Sequence, residues 1–293
     1  MKAKDKDRLY KLFRDHGDIL GTSGTTVVAL ESFIKSVKDL KCGPADLRPL
    51  VKELTFAVKN TEPRIPPLIH LLEQFDKEME GLYSDDLNAS KQAIVDNLSG
   101  KLETYKSKFR GVVARGKEHV EDGDRIIVYS TSSAVRTILV ESKAEGKQFE
   151  VLILKQDFSK TRKLIWTATG AKIDHQIIPQ YNLSNFISTA NKFFMGAISV
   201  TRDRKVVCAL GTAEIVSLCH LQKVPVYMFT NSLKFSHLDS CEQQIHEKKE
   251  DHRHGGCDYQ MTVHSHCILD LDIVDFIVTE DGVVSQEEVG RYW

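Results

Sequence analysis

Apolar positions recur at three- and four-residue spacing through the first 120 residues and in short strand-length runs thereafter. Val27, Leu30, Ile34 and Val37 fall on one face of a helix. Cys42-Gly43-Pro44 punctuates its end, since glycine accepts a left-handed cap and proline cannot continue the hydrogen-bond ladder. Leu47, Leu50, Val51, Leu54 and Val58 form a second stripe. A third uses Leu68, Leu72, Phe75 and Met79 after Thr61-Glu62-Pro63. Ile94, Leu98, Leu102, Tyr105 and Phe109 line a longer helix predicted from about Asp85 to His119. Gly21-Thr22-Ser23-Gly24 reads as a loop capping a helix from Thr25, and it lacks the strand and the GxSxG spacing of a nucleophile elbow. Residues 1–120 are expected to form a helical bundle whose stripes are its core.

The pattern changes at Glu121-Asp122-Gly123-Asp124. RIIVYS (125–130), FEVLIL (149–154), HQII (175–178), FFMGAISV (193–200) and VPVYMFT (224–230) have strand length and apolarity. Between them, Ser132–Gly146, Ser159–Gly170, Leu183–Asn191 and Thr212–Gln222 are long enough for the crossover helices that parallel neighbours require. Repeated β-α alternation predicts an α/β chain whose second domain, residues 121–293, is a Rossmann-like, doubly wound parallel sheet. Residues 236–267 interrupt the order with a His- and Cys-rich polar insertion. LDIVDFIVTEDGVVSQEEV then returns to a last strand-like run and a short polar helix.

Composition narrows the classes. The chain has 293 residues, 41% hydrophobic, with Lys+Arg (40) nearly balancing Asp+Glu (41). That length supplies real cores for one large or two ordinary domains. The charge balance builds in no general attraction to nucleic acid or to an anionic membrane. No apolar run approaches the roughly 18 residues of a spanning helix, and MKAKDKDRLYKLF has no apolar signal core. A globular, cytoplasmic protein is expected, with its six cysteines as reduced thiols rather than a disulfide framework.

Ligands of doubly wound sheets bind beyond the carboxyl ends of the strands. The first such end is Tyr129-Ser130-Thr131-Ser132-Ser133, leading into a helix. Hydroxyls and free N–H groups there suit a phosphate or carboxylate, and a plain serine cap fits the same residues. No GxGxxG follows this strand and no Gly-Lys-Ser/Thr triplet occurs, so dinucleotide binding and P-loop hydrolysis are poorly supported. His237, Cys241, His246, His252, His254, Cys257, His264, His266 and Cys267 offer the imidazole and thiolate that zinc prefers. The densest set, His254, Cys257, His264, His266 and Cys267, is the candidate structural zinc site. Its spacing is irregular, with no CxxC pair, and a polar surface insertion explains the same composition. No other cofactor is expected.

The order of motifs resembles a known family: strand-Tyr-Ser-Thr-Ser-Ser-helix, Gly196-Ala197 after a strand, Leu210-Gly211-Thr212 opening a helix, Asn231-Ser232-Leu233-Lys234-Phe235, then Asp270-Leu271-Asp272-Ile273 through Thr279-Glu280-Asp281-Gly282. It is similar to the alpha/beta/delta regulatory subunits of translation initiation factor 2B, whose relatives are the ribose-1,5-bisphosphate and methylthioribose-1-phosphate isomerases. In those isomerases the resemblance implies a cysteine in the first loop and an aspartate after a later strand as proton-transfer groups. Here Ser130 stands at the cysteine position, and Gln180, Tyr181 and Asn182 stand where the aspartate is due. A serine without a base does not replace a thiolate, and an amide or phenol does not replace a carboxylate near neutral pH. Gly196-Ala197-Ile198 also lacks the family's acid, Cys208-Ala209-Leu210-Gly211-Thr212 lacks its lysine, and the closing Pro-Pro-Glu-Leu is missing.

What the resemblance implies is therefore a non-catalytic, regulatory-subunit-like protein. Its implied partners are a second copy of itself or related subunits, together with initiation factor 2, whose guanine-nucleotide exchange it would modulate. The alternative is an isomerase or sensor for a sugar phosphate, bound through Ser130, Thr131, Ser132, Arg136 and Thr212. Neither reading calls for a membrane or direct nucleic-acid contact.

Overall fold

The computed structural model describes residues 3–60, 65–81, 83–156, 158–243, 245 and 247–293. Thr61, Glu62, Pro63 and His246, which figure in the sequence reading, lie outside them. The chain separates into two compact units, Met1–Gly111 and Val112–Trp293.

The first unit is helical, with α1 (Ala3–Asp39), α2 (Pro44–Lys59), α3 (Pro66–Met79) and most of α4 (Leu87–Lys117). The predicted stripes of α3 and α4 are buried throughout, apart from a half-buried Phe109. On α1 the buried line is Leu30, Phe33 and Val37, with Val27 and Ile34 at its margin. Phe33 meets Phe75 edge to face at 5.8 Å. Leu50 is exposed, because Leu47, Val51 and Val58 already fill the inner face of α2. The expected loop at Gly21-Thr22-Ser23-Gly24 is a break at one residue: Gly21 has φ +67°, and the helix resumes immediately after it. Thr25 and Thr26 donate their hydroxyls to the carbonyls of Gly21 and Thr22, closing the first turn after the break. Gly43 is not a left-handed cap of α1. Its φ of −76° is extended, and it opens α2 with Pro44 in the first turn, where a missing N–H costs nothing.

The second unit holds β1 (Arg125–Val128), α5 (Ser133–Ala144), β2 (Glu150–Lys155), α6 (Phe158–Gly170), β3 (Asp174–Pro179), β4 (Lys192–Gly196), β5 (Ser199–Thr201), β6 (Lys205–Ala209), α7 (Thr212–Leu221), β7 (Val226–Phe229), β8 (Phe235–Ser236), β9 (Glu247–His254), β10 (Cys257–His264), β11 (His266–Asp270), β12 (Phe276–Thr279) and β13 (Gly282–Val284). Seven strands form the main sheet in the order β13-β12-β7-β4-β1-β2-β3. All of its pairs are parallel except β12 with β13. This is the doubly wound parallel fold read from the sequence. Alternate residues of the strands face opposite layers, as a period of two demands. Val128, Val151 and Ile153 line a small cavity with Leu139 of α5 and Leu164 of α6. Ile127, Leu152 and Leu154 belong to the core that also takes Ile215, Val216 and Cys219 of α7.

Two expectations fail here, and the polar insertion takes a defined form. The crossover helix expected at 183–191 is two 3₁₀ turns, Gln180–Asn185 and Ile187–Thr189. Asn185 bonds the Asn182 side chain and Thr189 bonds the Phe186 carbonyl, the local contacts by which such residues compete with a helix. FFMGAISV divides into β4 and β5, and β5 joins a second sheet, β11-β6-β5-β8, which was not foreseen. The polar insertion is a registered hairpin, with β9 and β10 antiparallel from Cys257↔His254 to His264↔Glu247. Its turn is Gly255-Gly256, both at positive φ, as a two-residue hairpin turn requires.

Two buried lysines hold opposite ends of the main sheet in contrasting ways. Lys192, at the start of β4, donates to Asp124 (2.8 Å), Glu121 (2.7 Å) and the His119 carbonyl (3.1 Å). Asp124 is 3% exposed and also accepts from Asn191 and the Glu121 N–H. Burial works to lower the Lys192 pKa, but the bonds to Asp124 and Glu121 outweigh it and raise the value. Lys234, after β7, donates to the Ala197 carbonyl at 2.6 Å, and burial pushes its pKa down to about 8.

Lys192→Met leaves Asp124 charged, buried and short of its cation. The second unit is expected to lose about 3 kcal/mol, the lower end for breaking such a pair because Asn191 and a backbone N–H remain. Trp166 and Trp293 are the chain's two tryptophans and both lie in this unit, so their fluorescence in urea follows it. A loss under 1 kcal/mol contradicts the assignment. For Lys234 the folded pKa lies below the ordinary lysine value of about 10.4. The unfolded chain therefore binds more protons between those two values, and stability rises with pH across that window. Wild type is expected to gain about 2 kcal/mol on Lys234→Met between pH 7.5 and 9.5. An unchanged difference between the two proteins refutes the burial argument.

Candidate functional site

The strand order reverses between β1 and β4, which places the switch point of the sheet at their carboxyl ends. Beyond β1 the chain runs Tyr129-Ser130-Thr131-Ser132 into α5. Ser132 caps that helix, its Oγ accepting from the Val135 N–H at 3.4 Å. Ser130 and Thr131 are half-buried beside it. β4 ends at Gly196, where an added Cβ would fall 2.3 Å from Ser132 Oγ. Only glycine lets the strand end come this close to the loop.

A second close approach ties this loop to α7. Tyr129 donates its hydroxyl to the Leu210 carbonyl at 2.9 Å. Gly211 has φ +90°, and a Cβ there would lie 2.3 Å from the Tyr129 oxygen. Gln156 donates to the Tyr129 carbonyl, and Gln180 donates to the Gly211 carbonyl at 3.3 Å. Tyr181 is 90% exposed, and Asn182 accepts from Asn185. The amide at the position due for an acid is thus a strut between β3 and the turn before α7.

Of the five predicted ligand residues, the structure gathers Ser130, Thr131 and Ser132 in one loop and leaves the other two apart. Arg136 turns into the cavity lined by Val128, Leu139, Leu164 and Thr167 between α5, α6 and the sheet. Burial lowers its pKa, and its Nε is buried without a hydrogen bond among the described residues. The one-turn offset from Ser132 carries its side chain along α5, away from the helix terminus. Thr212 is 2% exposed at the start of α7, and its Oγ1 is buried without a hydrogen bond among the described residues.

Sequence reasoning missed a groove of about 540 Å³ beyond β2 and β3, lined by Lys155, Gln156, Gln180, Tyr181, Ser184 and Glu214. None of the five predicted residues lines it. Glu214 is its acid, set by the first turn of α7. No spacing rule marks it, because Lys155 and Glu214 are brought together only by the sheet. At the far side, Ser232 donates both its N–H and its hydroxyl to Glu280, joining the segments after β7 and β12. Thr230 Oγ1 and Asn231 Oδ1 are buried there without hydrogen-bond partners among the described residues.

The histidine and cysteine cluster does not assemble. His254 and Cys257 face each other beside the hairpin turn, while His264 lies seven residues along β10, about 23 Å at the usual strand rise. His266 and Cys267 belong to β11 and pair with Ala209 and Cys208 of β6. The described residues hold no group of three or more His, Cys, Asp or Glu side chains placed to share a metal ion. The zinc expectation is corrected on that ground: hairpin pairing separates what the sequence places close together. Cys208 and Cys267 are instead directly opposed, with Sγ atoms 3.5 Å apart.

Comparison with known proteins agrees with this architecture. A Pyrococcus furiosus protein described as a translation initiation factor eIF-2B subunit 2-like protein is 32% identical over 126 residues, 42% of this chain and 45% of that one. The chain thus aligns to about half the length of such curated relatives. The Pyrococcus horikoshii OT3 translation initiation factor eIF-2B superposes with a TM-score of 0.78 at 22% identity, covering 94% of this chain and 96% of that one. The tetrameric eIF2B-beta2-delta2 complex from C. thermophilum gives 0.73 at 15% identity, covering 98% and 94%. The 5-methylthioribose 1-phosphate isomerase of P. horikoshii OT3 gives 0.75 at 14% identity, covering 93% and 82%. At these identities the superpositions establish the fold alone. Among the described residues no helix is long and apolar enough to cross a membrane. The Initiation factor 2 subunit family matches residues 18–285, nearly the whole chain, and the chain belongs to that family.

Proposed function

We propose that this chain is a non-catalytic, regulatory-subunit-like component of translation initiation factor 2B. In this reading it assembles with itself or with related subunits in the cytoplasm and modulates guanine-nucleotide exchange on initiation factor 2. The observation that carries the reading is the state of the switch-point loop and the end of β3. Ser130 stands in the first, and Gln180, its amide engaged by Gly211, stands at the second. A hydroxyl and an amide have no proton-transfer capacity near pH 7, so the enediol chemistry of an isomerase has neither its acid nor its base there. Family membership and the resemblance to the beta and delta subunits support the assembly half of the proposal.

A groove with Lys155 and Glu214 beside an exposed tyrosine favours a second reading, a non-catalytic sensor for a small phosphorylated sugar. Lys155 would pair with the phosphate, and Glu214 and Gln156 would take sugar hydroxyls. Both readings exclude turnover.

The purified chain is expected to leave ribose-1,5-bisphosphate unconverted and to carry initiation factor 2 or related subunits with it from the source lysate. Light scattering is expected to give a mass of at least two chains. Conversion above the uncatalysed rate, or a monomer that captures no such partner, overturns the proposal. The sensor reading predicts a thermal shift with sugar phosphates that Lys155→Ala reduces at least fivefold in apparent affinity while Arg136→Ala leaves it within twofold. The reverse ranking overturns the groove as the ligand site.

A further inference from the structure

Cys208 and Cys267 are register partners on the antiparallel strands β6 and β11. Facing residues in such a ladder place their Cα atoms about 4.5 or 5.5 Å apart. Both separations lie within the roughly 4.4–6.8 Å that a disulfide spans. Their Sγ atoms already stand at 3.5 Å, so a small side-chain rotation completes the bond without moving a strand. The two thiols differ in access: Cys208 is fully buried, whereas Cys267 is half-buried.

They also differ in ionisation. The two Sγ atoms stand within hydrogen-bond distance of each other, and Cys267 Sγ also reaches the Ala209 carbonyl at 3.0 Å. Hydrogen bonding to Cys208, helped by the nearby N–H groups at the start of α7, outweighs burial and the opposing charge of Glu214 and brings the Cys267 pKa down to about 7. Cys208 moves well above the ordinary thiol value, through its bond to Cys267 and through burial. Cys219, on the buried face of α7, is pushed up to about 12 by desolvation. One thiol of the six is therefore poised for attack, and its resolving partner lies opposite.

We propose that Cys267 and Cys208 form a thiol–disulfide exchange site whose co-substrate is a small peptide disulfide of the glutathione class. The Cys267 thiolate attacks one sulfur of that disulfide, which breaks the S–S bond and releases one thiolate to be protonated by solvent. Cys208 then gives up its proton and displaces the second thiol from the mixed disulfide on Cys267. The pair loses two electrons and two protons, and the small disulfide is reduced to two thiols.

Peptide mapping by mass spectrometry on the full chain tests the site. At pH 7, limiting iodoacetamide is expected to label Cys267 at least fivefold faster than the exposed Cys241 and Cys257, because a thiol of pKa near 7 is about half ionised there. Incubation with oxidised glutathione is expected to give a peptide linked through Cys208 and Cys267. Cys208→Ala should stop at glutathione held on Cys267, and Cys267→Ala should leave Cys208 unmodified. The labelling order and the cross-link are read on wild type, so a poorly folded variant does not blur the answer. Labelling of Cys267 no faster than Cys257, or glutathione gathering on Cys241 and Cys257 with no 208–267 link, overturns the proposal.

Discussion

The buried pair of Lys192 and Asp124 is the constraint on which the second unit is built. Asp124 immediately precedes β1 and Lys192 opens β4, so one ion pair aligns the two strands whose divergence defines the switch point. Asn191 reinforces it from both sides, accepting from the Arg125 N–H and donating to Asp124. A charge pair shielded from water tolerates little slippage, because moving either partner by one residue strands a charge in the core. With the amino ends of β1 and β4 fixed, their carboxyl ends must meet at Gly196 and Ser132.

That meeting point is crowded, and the crowding bears on function. Gly196 against Ser132 and Gly211 against Tyr129 draw the loops so close that no side chain fits at either glycine. The carbonyls of Tyr129, Ala197, Leu210 and Gly211 all accept hydrogen bonds from side chains: Gln156, Lys234, Tyr129 and Gln180 in turn. An edge that in a catalyst presents reacting groups is here tied together by amides, a phenol and an amine.

The start of α7 shows the same substitution of internal for external partners. The sequence offered Thr212 to a phosphate at a helix terminus, a sound expectation since such termini attract anions. In the folded chain Thr212 is buried at the start of α7, and the partner brought to the preceding strand is Cys267, delivered to Cys208 from β11 more than fifty residues further along. An open groove persists on the neighbouring side, with Lys155 and Glu214 as its charges.

The sequence alone determined the helical stripes of α3 and α4 and the parallel strands of the main sheet. Each of these is a local property: apolar spacing repeats every three to four residues or every two, and a few successive residues suffice to reveal it. The identities of Ser130 and of Gln180, Tyr181 and Asn182 at the positions due for a thiol and an acid are likewise local, since they depend on residue type at places given by motif order. Tertiary structure decided the rest. Arg136 left the serine loop because of where α6 packs, Glu214 entered the groove because the first turn of α7 faces the residues that follow β3, and Cys208 found Cys267 through antiparallel pairing. The five candidate zinc ligands parted because a glycine turn made their segment a hairpin, holding each side chain at a distance that closeness along the chain does not reveal. Pairing between distant strands is set by the summed burial and hydrogen bonding of whole elements, and that sum leaves no signature within any single stretch of sequence.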